Sequence, residues 1–174
     1  PWMSPSASGR DLSGAELLPS VVVDAVYRLA RHAATLTEPW YHAQLAAGID
    51  AVAYVEMVAV VTIVAAVDGF SRAAGVSRPP LPAAADGPAS GARPAVEPAT
   101  LNWVPVVPPA DQQAAVVQGL SAAPADFEIV RRLAAAQYIP FDEMGDRGWS
   151  RGTLTRAEME LVASRLSRAR ECFY

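Results

Sequence analysis

The sequence predicts an all-α protein. Apolar residues recur at helical spacing in several segments, and those segments begin and end on residues that cap helices. No segment joins strand-like alternation to a hairpin turn. The chain has 174 residues, 52% of them apolar and 18% charged, which describes a globular chain with a large core rather than a disordered one. That length suffices for one good-sized domain or two small ones.

The elements follow in chain order. Residues 1–14 are rich in Ser, Pro and Gly and read as a flexible arm. Asp24 to Ala34 is helical, with Val22, Val26, Leu29 and Ala30 on one side. Thr37 is placed to cap a short helix carrying Trp40, Tyr41 and Leu45. Pro39 lies in its first turn, where a missing N–H costs nothing, and Gly48 closes it. Asp50 caps a long apolar helix through Asp68 to about Ala74, ended by Gly75. Its most apolar run, Ala51 to Val67, is shorter than the roughly 20 residues a bilayer span needs and contains Glu56. A buried core helix is therefore expected, with no membrane.

Residues 77–110 change character. Their prolines forbid a regular helix and their few apolar side chains cannot build a core. Such a length of loop reads as a wrap or linker, with Trp103, Val104, Val106 and Val107 in its second half placed to pack on the domain. Helices resume at Asp111–Leu120 and at Pro124–Tyr138, the latter with Phe127, Val130, Leu133 and Ala134 on one side and Pro140 as its stop. The string DEMGDRGWSRG reads as a loop. Thr155 and Glu158 then form a capping box before a helix showing Met159, Leu161, Val162 and Leu166. The expected organisation is an arm (1–14), a first helical half (15–76), the Pro/Gly-rich wrap (77–110) and a second helical half (111–174). The strings EMVA at 56–59 and ELVA at 160–163 echo each other, and twelve residues beyond each glutamate lie Asp68 and Cys172. An ancient duplication would explain the echo, though these residue types are common in helices.

A net charge of −4 gives no electrostatic footprint for nucleic acid, and the arginines form no run. Arg131, Arg132, Arg165, Arg168 and Arg170 read as solvated helix faces or ion-pair partners. The single cysteine excludes an intramolecular disulfide scaffold. The first residues lack a basic region followed by an apolar run, so no signal peptide is expected and the default location is cytoplasmic. No Gly-rich phosphate loop, G-x-S-x-G or H-E-x-x-H occurs. His32 and His42 fall on different helices with no third ligand in view, so neither a metal nor another cofactor is expected.

The chemistry-bearing candidates are few. Cys172 follows Arg168 and Arg170, which would favour a thiolate, and stands beside Glu171, which would oppose it. The bland alternative is a small buried hydrophobe. Glu160 lies twelve residues earlier, about 18 Å of rise and roughly 120° of rotation along one straight helix. The two share a site only if the helix ends near Ser167 to Arg170 and the chain turns. Glu56 sits among apolar neighbours and is expected to meet His32, His42 or an arginine, or to lie on a wet edge.

The string LTRAEMELVASRLSRARECFY resembles the core motif of the alkylhydroperoxidase AhpD-like family, also called the carboxymuconolactone decarboxylase family. Members carry a glutamate and, twelve residues on, a cysteine opening C-x-x-C, then x-x-x-His. Glu160 and Cys172 fall on the first two positions, and Phe173 and Tyr174 on the two between the cysteines. The second cysteine and the histidine would stand one and five positions beyond Tyr174, in a continuing chain or a second polypeptide that completes the fold. The first half resembles the helical opening domain of two-part members, with Asp68 in the cysteine position. The resemblance implies an AhpD-like helical bundle and a thiol peroxidase acting on a small hydroperoxide. Cys172 would be the resolving cysteine, and Glu160 with the histidine would relay a proton to the thiolate. It further implies recycling by a dithiol reductant protein and a homo-oligomeric assembly. Two other readings remain open. One is a non-redox, decarboxylase-like enzyme using Glu56, His32 or His42 on a small acid. The other is a helical assembly protein with no chemistry, in which Cys172 is only core.

Overall fold

The computed structural model describes residues 15–83, 86–87, 91, 93–99, 101–108 and 115–172, so the arm at 1–14 lies outside the described residues. The protein is all-α. Six α-helices are described: α1 (Ser20–Arg31), α2 (Glu38–Ala46), α3 (Ala51–Ala74), α4 (Ala115–Gln118), α5 (Pro124–Gln137) and α6 (Arg156–Ala169). A two-stranded hairpin, β1 (Ser150–Arg151) and β2 (Leu154–Thr155), precedes α6.

Local chemistry accounts for the helix ends. The Thr37 hydroxyl accepts the Trp40 N–H at 3.4 Å, and Pro39 occupies the first turn of α2. Asp50 accepts the Val52 and Ala53 N–H groups at 3.1 and 2.9 Å, satisfying two orphan donors of α3. Gly75, at φ +66°, supplies the left-handed residue that closes α3. Thr155 and Glu158 form the expected capping box at the start of α6. Pro124 sits in the first turn of α5. Of the helix expected over Asp111–Leu120, Ala115–Gln118 is helical, and residues 111–114 lie outside the described residues.

Helix α3 is the axis of the core. On one side Ala25, Tyr41, Ile49 and Tyr54 bury against α1 and α2 residues. On the other, Val52, Val55 and Ala59 meet Leu120, Ala122 and Ala123, with Phe127 and Val130 of α5 packed against them. The two sequence halves thus share one core. Val104 of the wrap touches both clusters, and Val106 is fully buried, held by paired backbone bonds of 2.9 Å to Glu97. Burial of Val104 and Val106 is what lays the second half of the wrap on the domain, while Trp103 remains half-exposed.

Two expectations are corrected. The loop before α6 contains a hairpin. Its two-residue turn has Gly152 first, at φ +58°, and the Gly-Thr pair was the available signal. Helix α3 is covered mainly in its first half: Ser71 is buried near its end, but Val60, Val64 and Phe70 are exposed, and the helix is by length and composition able to cross a membrane. In α6 the apolar residues divide. Met159 is buried, whereas Leu161, Val162 and Leu166 are exposed.

Candidate functional site

Helix α6 is tied to the body mainly by two arginines. The hairpin presents Arg151 to the C-terminal end of α5. Its Nε and Nη2 donate to the Tyr138 carbonyl at 3.0 and 2.9 Å, and Nη2 donates also to the Ala135 carbonyl. These carbonyls have no partner within the helix, and the negative end of the helix dipole favours a cation there. Arg156, in the first turn of α6, donates to the Met144 and Asp146 carbonyls at 3.1 and 3.2 Å and through Nε to Glu160 Oε1 at 2.6 Å. Together they fix the end of α5 against the side of α6 and bring Tyr138 to Glu160.

Glu160 accepts a hydrogen bond from Arg156, and Tyr138 lines the same groove. The neighbouring Tyr138 phenol first, and then the guanidinium, hold its carboxyl below the usual 4.5. Burial, and secondly the neighbouring Glu160, push the Tyr138 phenol above its ordinary 10.0. At neutral pH the pair is therefore a carboxylate and a protonated phenol. An anion held this firmly is a weak acceptor for a thiol proton, but a good fixed charge for orienting a protonated neighbour.

Helix α6 ends at Ala169, inside the window the sequence required. Glu171 adopts φ +54°, and the Cys172 N–H donates to the Ser167 carbonyl at 2.9 Å while the Glu171 N–H donates to Arg168 at 3.2 Å. This is a Schellman turn with glutamate in the place glycine usually takes. It turns the chain so that Cys172 and Glu160 line one open groove of about 1090 Å³, with Tyr138, Ser164, Ser167 and Arg168. Cys172 is exposed, so the reading of it as a buried hydrophobe does not hold.

The other candidates do not gather. Glu56 pairs with Arg93 of the wrap at 3.5 Å, and Arg93 also lies 3.6 Å from Asp50. Glu56 lines an apolar groove of about 580 Å³ between α1 and α3, which neither histidine lines. His42 is exposed beside Glu38 at 3.7 Å, and the His32 ring lies tilted at 43° to that of Tyr27, 5.8 Å between centroids. Asp68 pairs with Arg78 at 2.9 Å, and α3 runs unbroken through it, unlike α6 before Cys172. Among the described residues no three His, Cys, Asp or Glu side chains converge to hold a metal. Sequence reasoning missed Arg151 and Arg156 and treated Tyr138 only as a helix aromatic. The i, i+4 pair Arg156–Glu160 was visible in the sequence; the Tyr138 contact, made across two elements, was not.

Comparison with protein-family models, with curated proteins and with solved structures finds no match.

Proposed function

We propose that this chain carries part of a thiol-dependent peroxidase site of the AhpD type. The observation that supports it is the turn at Glu171, which brings Cys172 to the groove that Glu160 and Tyr138 also line. In this reading a second thiol, supplied by continuing chain or by another polypeptide, attacks a small hydroperoxide. The O–O bond breaks, an alcohol leaves, and that sulfur becomes a sulfenic acid. Cys172, as thiolate, then attacks the sulfenic sulfur. The S–S bond forms, the S–O bond breaks, and the hydroxide leaves as water after taking a proton. A dithiol reductant protein returns both sulfurs to thiols. Glu160 serves as the standing negative charge of the site rather than as the base that itself strips the thiol, and no metal or organic cofactor takes part.

Thiol counting and intact mass, before and after a slight excess of hydroperoxide, test the proposal. The chain is treated alone and then with a second thiol protein added. Cys172 should gain an oxygen or a mixed disulfide, and Cys172→Ser should abolish both. An unchanged thiol count under both conditions overturns the peroxidase reading and favours a protein without redox chemistry.

The exposed apolar side chains of α3 support one addition to this reading. Val60, Val64 and Phe70 leave apolar side chains exposed on the second half of α3, and a second copy of the chain would bury them in a homo-oligomer.

A further inference from the structure

We infer that α3 pairs with the α3 of a second copy as antiparallel helices crossing level with Thr62; the inference rests on the homo-oligomer named above and says which surfaces meet. Glu56, Val60, Val64, Asp68 and Arg72 stand four residues apart and so form one oblique ridge along α3. From Glu56 to Asp68 it rises about 18 Å. Its middle is apolar and open to solvent, with Val60 at 49% and Val64 at 43% exposure. Beside that middle lies the apolar groove of about 580 Å³, walled by Val22 and Val26 of α1 and by Met57 and Val61, the next oblique row of α3. The wrap brings an arginine to each end of the ridge. Asp68 pairs with Arg78 at 2.9 Å, while Glu56 and Asp50 share Arg93 at 3.5 and 3.6 Å.

Charge decides the occupant and its direction. At the Glu56 end two carboxylates, Asp50 and Glu56, face one guanidinium, Arg93, which leaves that end negative. At the other end Asp68 faces two arginines, Arg78 and the exposed Arg72, which leaves that end positive. An antiparallel second copy lays each negative end on a positive one, and the helix dipoles favour the same direction. A parallel copy would set like ends together. In the antiparallel register Val60 stands opposite the partner's Val64, and the apolar middles cover each other. Ridges of this four-residue kind interdigitate at about −50° with axes roughly 8–10 Å apart. The helices then diverge from the crossing, and the long arginine side chains span the widening gap at the ends. The ridge of one copy enters the groove beside the ridge of the other, and a two-fold axis closes the pair.

Sedimentation velocity of the full chain over a range of concentrations reads the association. Wild type should form a dimer, and high salt should weaken it roughly threefold to tenfold. Val64→Lys changes an exposed position, so circular dichroism and melting should match wild type while the chain becomes monomeric. For direction, Val60→Cys and Val64→Cys chains in a Cys172→Ser background are mixed and oxidised with copper phenanthroline. The mixture should give more disulfide dimer than either chain alone. More cross-linking in the unmixed chains overturns the antiparallel direction, and a dimer indifferent to salt overturns the charge pairing. A dimer that survives Val64→Lys overturns this interface and leaves the homo-oligomer standing. A monomer at every concentration removes both, and its cosedimentation with phosphatidylcholine vesicles would give the ridge to lipid instead. The peroxide test is independent of all these outcomes.

Discussion

Replacing Arg151 by Met tests whether a two-residue hairpin governs the geometry of the groove. The side chain is half-buried and makes three donations to two carbonyls at the end of α5, and it lies 5.2 Å from the centre of the Trp149 ring. A hydrogen bond involving a charged group contributes roughly 1.5–3 kcal/mol net. A cation at a helix C-terminus adds about 0.3–1 kcal/mol, and an exposed cation–π contact about 0.5–1 kcal/mol. One side chain supplies all of these in partial contact with water, so the terms overlap, and the lower ends set a loss of about 2–3 kcal/mol. For a chain of this size that corresponds to a fall in Tm of about 4–12 °C. Urea unfolding followed by circular dichroism reads the free energy, with an unchanged slope expected. Arg151→Lys should recover roughly half, because an ammonium reaches one carbonyl where the guanidinium fork reaches two. Arg165→Met, on an exposed face of α6, should stay within about 0.5 kcal/mol of wild type. A loss below about 0.5 kcal/mol for Arg151→Met would refute the claim that these bonds hold α5 to the hairpin. Equal losses for Met and Lys would refute the fork argument while leaving the packing one.

Two further outcomes follow from the same structure. Glu171→Gly should stabilise the protein by roughly 0.5–1 kcal/mol in urea unfolding, because glycine adopts the left-handed conformation without the steric cost that glutamate bears at φ +54°; a destabilised variant would show that the glutamate side chain makes a stronger contact than its backbone strain costs. Burial first, and then the neighbouring Tyr41, push the Tyr54 phenol up to about 12 against an ordinary 10.0, so its neutral form is favoured in the folded state; stability is complete below pH 10 and is lost as pH rises toward 12, and phenolate absorbance should show Tyr54 ionising with unfolding in wild type but not in Tyr54→Phe.

Helix existence was legible because helix ends are written locally. Thr37, Asp50, Gly75 and the Thr155–Glu158 box each act within four residues, and each sits where the sequence indicates. Burial was less legible, because it depends on which neighbour a face meets. The same period that places Met159 on one face places Val162 and Leu166 beside it, yet of the three only Met159 is buried. In α3 the apolar run extends past the helices that cover it, so hydropathy alone overstates its burial. At the groove, Cys172 stood out as the single cysteine and Glu160 through the motif resemblance, and the condition for their meeting, a helix ending near Ser167 to Arg170, came from helix geometry. The anchoring of Arg151 and Arg156 escaped because it is made to backbone carbonyls of Ala135, Tyr138, Met144 and Asp146, which no side-chain pattern records; Tyr138 escaped because it reaches the groove from a different element.

The groove depends on a local strain rather than on the core. A straight helix through Cys172 would carry it about 18 Å along the axis from Glu160. Helix α6 instead stops, and a glutamate takes the left-handed position at a cost of about 1–2 kcal/mol. The two Schellman hydrogen bonds satisfy carbonyls that would otherwise lack partners and so offset part of that cost. With one buried residue in α6, little apolar packing opposes movement of this end of the chain. Its geometry is set by directional polar bonds: Arg151 to α5, Arg156 to the loop and to Glu160, and the backbone turn at Glu171. Such bonds orient a carboxylate and a sulfur more sharply than nondirectional packing does, and they leave both accessible from solvent.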